Sequence, residues 1–247
     1  MTSISTPATW LAGCIPDIPT PFDDNGALDL VAFAGLCERQ IRAGVSAILV
    51  SETGGEASTL TPAEQESIIR TAVEVAQGRV RVIAGAGSNS TSQAIELTQR
   101  AEAVGADAVL SVVPYYNKPM QAGIHTHFRA IAISTALPII LHDVPSRTMR
   151  ELSDDTLLQL ASSRQFIGLK DGSGDITRLL RLRPRLPAGF RLLPETTQRR
   201  CPLSQMVAMA AFPSSRTSRR SCAGRSFRTA GWDVRRPRGT CRTGWRR

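Results

Sequence analysis

The chain repeats a short apolar run at nearly even intervals, and this spacing constrains its fold more than any other feature. Successive runs begin 33, 28, 30 and 28 residues apart; they are Ala47–Val50, Val80–Ala84, Ala108–Val113, Pro138–His142 and Phe166–Lys170. A repeat of about 30 residues is the length of one strand–helix–strand unit. Because most runs are continuously apolar, they are typical of parallel strands covered on both faces. We expect an earlier segment, Gly13–Pro21, to supply the first strand.

The segments between these runs have the apolar spacing of amphipathic helices. The predicted helices are Leu28–Ala43, Thr61–Gln77, Ser92–Val104, Ala122–Ser134 and Ser153–Ser162, and the second begins with a capping box from Thr61 to Glu64. Alternating strands and helices predict an α/β fold with a parallel sheet. Even spacing favours a closed (β/α)8 barrel of the TIM type over an open doubly wound sheet. No GxGxxG motif follows the first strand, which argues against dinucleotide binding.

The positive charge of the chain is confined to its C-terminal part. Residues 194–247 contain thirteen Arg and two acids, whereas residues 1–193 contain 17 Lys and Arg against 19 Asp and Glu. We therefore predict two parts, a barrel over residues 1–193 and a basic, disordered tail over residues 194–247. Aromatic residues among the arginines leave weak, non-specific nucleic-acid binding by the tail as an alternative, but the acidic barrel gives no support for a nucleic-acid partner.

Cysteine usage and hydropathy favour a cytoplasmic protein. The five cysteines lie far apart, form no CxxC pair and are odd in number, which argues against a disulfide framework and against a zinc site. No stretch reaches the ~20 apolar residues that a membrane span needs, and the first residues do not have the pattern of a signal peptide. His125 and His127 are two residues apart on a predicted helix, so they face different directions and no metal site is expected.

Lys170 ends the last apolar run, and side chains that follow barrel strands are where chemistry is found in such folds. A lysine in a water-poor barrel mouth is expected to have a lowered pKa, because desolvation disfavours its charged form. A neutral lysine amine is a nucleophile that condenses with keto groups. The alternative is a structural lysine paired with Asp171.

Five motifs, each at a predicted strand end, carry a resemblance to a known family. They are PTPF (19–22), SETGGEASTL (51–60), PYYNKP (114–119), VPSRT (144–148) and IGLKDGSG (167–174). Over residues 10–193 the chain resembles the dihydrodipicolinate synthase / N-acetylneuraminate lyase family of class I pyruvate aldolases. The resemblance implies a lyase with no cofactor beyond a covalent lysine–pyruvate imine, a keto acid and an aldehyde as partners, and a homo-oligomer.

The resemblance also implies a role for particular residues. Lys170 matches the lysine that forms the imine with pyruvate. Thr53 matches a proton-relay residue that also helps to hold the pyruvate carboxylate, and Gly54 follows it, where backbone N–H groups approach that carboxylate. Tyr116 matches a tyrosine that completes the proton relay across a subunit contact. Arg147 matches an arginine that binds the carboxylate of the second substrate.

Three residues depart from the family pattern. Glu52 replaces a glycine, Gly54 replaces the second threonine of the same loop, and His142 replaces the tyrosine that acts as the central proton donor and acceptor. We hypothesise that His142 takes over the acid–base role, oriented by Asp143; the alternative is that it only fills the barrel mouth.

The nearest activity is that of 4-hydroxy-tetrahydrodipicolinate synthase, which joins pyruvate to aspartate semialdehyde in lysine biosynthesis. A sugar-acid or other 2-keto-acid aldolase and an inactive truncated barrel remain as alternatives.

The family pattern stops at Leu193, where Ser-Gly-Asp-Asp is expected next. Reverse translation of Pro194–Thr197, read one base earlier, permits Gly-Asp-Asp, and the same shift of Met206–Ala210 permits the glycine-rich segment that should follow. We hypothesise that residues from about 194 onward are an out-of-frame reading of the gene. The barrel would then be incomplete, with about six βα units and with strands seven and eight missing.

Overall fold

The computed structural model of the chain describes residues 9–195. Their central feature is a sheet of six parallel strands whose order in space follows their order in the chain. The strands are β1 (Ala47–Val50), β2 (Arg81–Gly85), β3 (Ala108–Val112), β4 (Ile139–Asp143), β5 (Phe166–Asp171) and β6 (Arg191–Pro194). This architecture confirms the predicted α/β fold, an incomplete barrel of the TIM type with alternating helices.

Within residues 9–195, one helix precedes β1 and the others lie between successive strands. They are α1 (Leu30–Arg42), α2 (Pro62–Ala76), α3 (Thr91–Ala103), α4 (Gln121–Ile133), α5 (Pro145–Thr148), α6 (Asp154–Ala161) and α7 (Ile176–Leu182). Helix α2 begins as predicted, because the Thr61 hydroxyl accepts a hydrogen bond from the Glu64 N–H while the Glu64 carboxylate accepts one from the Thr61 N–H. The five helices predicted from apolar spacing are present, with ends that differ by one or two residues.

Two parts of the strand prediction need correction. The segment Gly13–Pro21 forms a single parallel bridge between Asp17 and Leu49 and is not a strand. Three prolines in this segment lack the N–H group that a strand ladder requires, which explains why pairing does not spread. Conversely, Arg191–Pro194 forms β6, which pairs with β5. This is the position of the seventh strand, which we predicted to be missing. Helix α7, before β6, was not predicted either.

Residues along the strands alternate between two apolar layers, apart from a register shift where Phe166 and Gly168 of β5 pair with Ile139 and Ile140, and this alternation positions the site. In β1, Ile48 and Val50 pack in the large core with the helices, whereas Ala47 and Leu49 pack on the inner face with Leu11. The same alternation places His142 and Lys170 on the inner face, since Leu141 and Leu169 belong to the helix-side core. Asp143 and Asp171, one residue further on, therefore point toward the helices.

Apart from Pro194, which ends β6, and Glu195, which follows it, the predicted basic tail lies outside the described residues. The domain boundary at 193, the disorder of the tail and the out-of-frame hypothesis all concern residues 196–247 wholly or in part, and they stay predictions. Within residues 9–195, none of the helices combines the length and the apolar character needed to cross a membrane.

Candidate active site

Lys170 and His142 lie side by side at the C-terminal ends of β5 and β4. The two residues are register partners in the parallel pairing of these strands, and both belong to the inner face. His142 is fully buried, and the Lys170 side chain is 14% exposed. The structure thus brings together the predicted imine-forming lysine and the predicted acid–base residue.

Glu52, from the loop after β1, contacts both of these side chains. Its Oε1 lies 3.0 Å from the His142 Nδ1, and its Oε2 lies 3.5 Å from the Lys170 Nζ. The same Oε2 accepts a hydrogen bond from the Thr53 N–H. Glu52 is therefore held at three points, and a residue that departs from the family pattern forms the centre of the site.

Glu195 approaches the same pair from the end of β6. Its Oε1 lies 3.4 Å from the Lys170 Nζ, and its Oε2 lies 3.5 Å from the His142 Nε2. The backbone N–H of Glu195 donates to the Asp171 carbonyl, which fixes the residue next to β5. Lys170 and His142 each have a carboxylate on two sides, so the amine is not in the purely apolar surroundings that we expected.

The buried charges shift one another's proton affinities. Burial alone would raise the pKa of the Glu52 carboxyl, but the hydrogen bond and charge of His142 and the charge of Lys170 hold this pKa well below its usual range. Burial would also raise the pKa of the Glu195 carboxyl. The hydrogen bond from His142 and the charge of Lys170 outweigh burial, so the pKa of Glu195 is lowered. Burial would lower the pKa of His142, yet its hydrogen bonds to Glu195 and Glu52 raise it. These contacts favour an imidazolium between two carboxylates.

Asp143 does not orient His142, contrary to our hypothesis. Its Oδ2 lies 2.6 Å from the Nη1 of the buried Arg178 and accepts a hydrogen bond from the Leu152 N–H. Asp171 also lies 3.5 Å from Arg178, so it does not form the structural pair with Lys170 that was the alternative. The reason is geometric, because adjacent residues of a strand point to opposite faces of the sheet.

The amide groups expected to bind a substrate carboxylate already have partners. The Thr53 N–H donates to Glu52, and the Gly54 N–H donates to the Asp17 Oδ2 at 2.8 Å. A Cβ on residue 54 would lie 2.8 Å from the Asp17 Cγ, so the glycine at this position permits the approach. Burial, together with the negative charge of Glu52, raises the pKa of Asp17 against the lowering effect of the Gly54 N–H.

A cavity of about 450 Å³ opens beside the loop after β1. Glu52, Thr53 and Arg147 are among its lining residues, whereas Lys170 and His142 are not. Arg147 is exposed in the single turn of α5, where a bound anion could reach its guanidinium. Glu52 therefore connects the cavity to the Lys170–His142 pair.

Tyr116 lies apart from this cluster on an exposed loop. Tyr116 is 89% exposed. Its φ of 68° is a left-handed backbone conformation that is uncommon for residues other than glycine. Within residues 9–195, no hydrogen bond joins the Tyr116 side chain to Lys170 or His142. A role for Tyr116 in this chemistry would need a second copy of the chain.

His127, in α4, is engaged by a neighbouring hydroxyl group. His127 is buried, its Nδ1 lies 2.9 Å from the Thr91 hydroxyl, and burial lowers its pKa to about 4. Among residues 9–195, no group of three His, Cys, Asp or Glu side chains is arranged to hold a metal ion.

Asp17, Glu52 and Glu195 are site residues that the sequence analysis did not identify as such. Glu52 had one signal, its replacement of a family glycine next to Thr53. Asp17 had none beyond its place in the predicted first strand, and Glu195 lies where the family pattern had already stopped.

Comparison with known proteins agrees with the fold and with the motifs. The model of the "Dihydrodipicolinate synthetase family" matches residues 10–201. A 4-hydroxy-tetrahydrodipicolinate synthase of Hyphomonas neptunium is 52% identical over 167 residues, which are 68% of this chain and 57% of the relative. The chain thus spans less than two thirds of this curated relative's length.

Solved structures give the same result. A dihydrodipicolinate synthase from Aquifex aeolicus matches with a TM-score of 0.76 and 41% identity, over 78% of this chain and 66% of that one. A structure described as the first monomeric dihydrodipicolinate synthase variant matches with a TM-score of 0.74 and 34% identity, over 77% and 65% of the two chains. A protein described as monomeric is therefore among those that this chain resembles.

Proposed function

Because the chain belongs to the dihydrodipicolinate synthetase family, we propose that it is a lyase that forms a Schiff base between Lys170 and pyruvate. The enamine derived from this imine then joins an aldehyde, as in the 4-hydroxy-tetrahydrodipicolinate synthase reaction of pyruvate with aspartate semialdehyde. The observation that carries the proposal is the position of the Lys170 Nζ, on the inner face at the end of β5 and beside His142. The names of the relatives favour the synthase over a sugar-acid aldolase.

The chemistry needs a nucleophilic amine that attacks the keto carbon and a proton donor that reaches the oxygen on that carbon. After losing a proton, the Lys170 amine attacks the keto carbon and forms a carbinolamine. His142 then protonates the departing hydroxyl group, which leaves as water. A substrate would take the place of Glu195 at Nε2, and the hydrogen bond to Glu52 at Nδ1, which favours the imidazolium form, would remain. No cofactor is required, since the protonated imine withdraws electrons from the adjacent carbon.

Substrate carboxylates would bind at two places. Thr53 and Gly54 present N–H groups near Lys170, and a keto-acid carboxylate would displace Asp17 from the Gly54 N–H. Arg147 lies at the cavity and suits the carboxylate of the second substrate, because its guanidinium can make two parallel hydrogen bonds.

We also propose that the protein acts as a homo-oligomer. Tyr116, Met120 and Met149 are exposed to 89%, 76% and 67%. Their loops are adjacent, because the Arg150 guanidinium donates to the Lys118 carbonyl and the Gln121 amide to the Glu151 carbonyl. A second copy covering these side chains would bring Tyr116 to a site in its neighbour. The cytoplasmic location and the absence of a nucleic-acid partner remain predictions from the sequence.

Borohydride trapping tests the proposed function. The chain contains only two lysines, the exposed Lys118 and Lys170, so the site of a reduced pyruvate adduct is unambiguous by peptide mass spectrometry. We expect the full chain and a Lys118→Arg variant to form one adduct at Lys170, and Lys170→Arg to form none there. An adduct confined to Lys118, or no adduct, would reject the proposed function and favour an inactive barrel.

A further inference from the structure

Glu52 is placed between the two residues that the proposed reaction uses. It is 8% exposed and reaches side chains from β4 and β5, which are 90 and 118 residues further along the chain. Its two oxygens have separate tasks, one facing the His142 Nδ1 and the other facing the Lys170 Nζ. The Thr53 N–H fixes the carboxylate from its own loop.

This arrangement is suited to proton transfer. A carboxylate that lies 3.5 Å from an ammonium group can accept its proton with a small movement. Burial disfavours both charges and so favours the neutral pair that the transfer leaves. The contact at Nδ1 also fixes the His142 ring and directs Nε2 away from Glu52. A carboxylate bound to one nitrogen of a histidine selects the ring orientation and tautomer at the other nitrogen.

The other carboxylates near the site are less suited to this role. Asp17 is engaged by the Gly54 N–H, and Asp143 and Asp171 are engaged by Arg178 on the helix side of the sheet. Glu195 is the alternative candidate for the proton acceptor, since it contacts the same two residues. Its side chain is 23% exposed, whereas that of Glu52 is 10% exposed. Glu195 also faces Nε2, the nitrogen that the substrate must reach.

We propose that Glu52 accepts the proton that Lys170 loses before imine formation, and that it positions His142 to donate a proton to the departing water. The inference rests on the proposed function, because it assigns a role within that same site. Glu52 would act on the reacting nitrogen directly and on the departing oxygen through His142.

Each proton in the proposed sequence has a donor and an acceptor. The Lys170 ammonium transfers one proton to the Glu52 carboxylate, and the free amine forms a bond to the keto carbon. A proton shift within the adduct, from nitrogen to oxygen, gives the carbinolamine. The His142 imidazolium then gives its Nε2 proton to the hydroxyl, the C–O bond breaks, and water leaves with formation of the protonated imine. The imidazole keeps its proton at Nδ1 toward Glu52, so Nε2 takes a new proton from solvent. Glu52 releases the proton that it accepted to solvent, and the carboxylate and the imidazolium are restored.

The test compares variants of the full chain in the rate of imine formation. For Glu52→Gln we expect a loss of about 10²-fold or more in the rate of pyruvate trapping by borohydride, with little change in the pyruvate concentration at half-saturation. Glu52→Asp keeps the carboxylate and should recover part of the rate. Glu74→Gln, on the exposed face of α2, is the matched control and should behave as the parent chain. Glu195→Gln tests the alternative proton acceptor, and its rate of pyruvate trapping should fall far less than that of Glu52→Gln.

Nuclear magnetic resonance of the imidazole nitrogens gives a second readout that does not require pyruvate. The chain has three histidines, so the His142 signals can be assigned with one variant. Glu52→Gln should lower the pKa of His142, whereas Glu74→Gln should not. If the parent chain fails to trap pyruvate, the proposed function is wrong, yet the titration still tests the contact. Imine formation by a folded Glu52→Gln at the parent rate, or a larger loss in Glu195→Gln, would overturn the inference.

Discussion

The Glu52 Oε1 lies 3.0 Å from the His142 Nδ1, and this contact joins the loop after β1 to the inner face of β4. Both residues replace the amino acids that the family resemblance predicts at their positions. Because the imidazole can use a carboxylate that a glycine could not supply, the two departures are complementary. Under the proposed function, the site would combine the imine-forming lysine with a different group for moving protons.

Replacing His142 tests whether its imidazole takes part in proton transfer. We expect His142→Phe to lower the rate of aldehyde addition, and of the reverse cleavage, by about 10²- to 10⁴-fold, because general acid–base catalysis contributes this much. The measurement is the rate of product formation by the purified full chain. His125→Phe, on the half-buried side of α4, is the control and should leave the rate unchanged. An unaltered rate in His142→Phe would mean that the imidazole only fills the barrel mouth.

The Glu52–His142 pair should make stability depend on pH in a defined window. The pKa of His142 is raised above its ordinary 6.5, so its contribution is complete below that value and is lost as pH rises through the folded-state pKa. The pKa of Glu52 is lowered below its ordinary 4.5, so its contribution is present above that value and is lost as pH falls through its folded-state pKa. The pair should therefore stabilise most between these two ordinary values.

Denaturant unfolding of the parent chain and of His142→Gln measures this dependence. The difference in unfolding free energy between the two should be largest at about pH 5.5 and should shrink by about pH 9. A difference that is constant, or that grows with rising pH, would show that the imidazole is not held in its charged form.

Arg178 should be important for the fold because it is the cation that compensates buried acids behind the site. Its guanidinium contacts Asp143 at 2.6 Å and Asp154 at 3.0 Å. Arg178→Met would leave Asp143 buried without a cation, which typically costs about 3–5 kcal/mol. Arg181→Met, on the same helix but 56% exposed, should cost less than about 1 kcal/mol.

A double variant separates the ion pair from the packing of the arginine stem. Asp143→Asn combined with Arg178→Met removes both charges, so it should be more stable than Arg178→Met alone in urea unfolding. Equal stability of the two would indicate that packing, and not the uncompensated carboxylate, accounts for the loss.

Regular features of the fold were predictable from the sequence, whereas contacts between loops were not. Even spacing of apolar runs predicted β1 to β5, and Thr61 with Glu64 predicted the start of α2. The short strand β6 escaped prediction because Arg191 and Pro194 interrupt its apolar character. His142 and Lys170 could be expected to meet, since both end neighbouring parallel strands. Asp143 was misassigned because its side chain points to the opposite face from that of His142.

The position of Glu52 depends on the three-dimensional path of its loop. Ser51, which precedes it, has a φ of 54°, and this left-handed turn changes the direction of the chain directly after β1. Nothing in the local pattern of residues 51–60 indicates that the Glu52 side chain reaches β4 and β5. The same holds for Asp17, whose contact with Gly54 joins two loops that are 37 residues apart.

Asp17 should limit how well the site binds a keto acid. Its carboxylate occupies the Gly54 N–H and adds a negative charge where the substrate carboxylate would bind. Asp17→Ala frees this donor, and a hydrogen bond to a charged group contributes about 1.5–3 kcal/mol. We expect the KM for pyruvate to fall about tenfold, which corresponds to about 1.4 kcal/mol, with little change in kcat.

The pH dependence of this effect distinguishes competition from a general change in the loop. Because burial raises the pKa of Asp17 above 3.8, acidification should neutralise it early and lower the KM of the parent chain. Asp17→Ala has no group to neutralise, so its KM should vary less with pH. Asp24→Ala, on the exposed turn that follows, is the matched control and should keep the parent KM at each pH. A KM that is unchanged or higher in Asp17→Ala would show that Asp17 supports the loop instead of competing with the substrate.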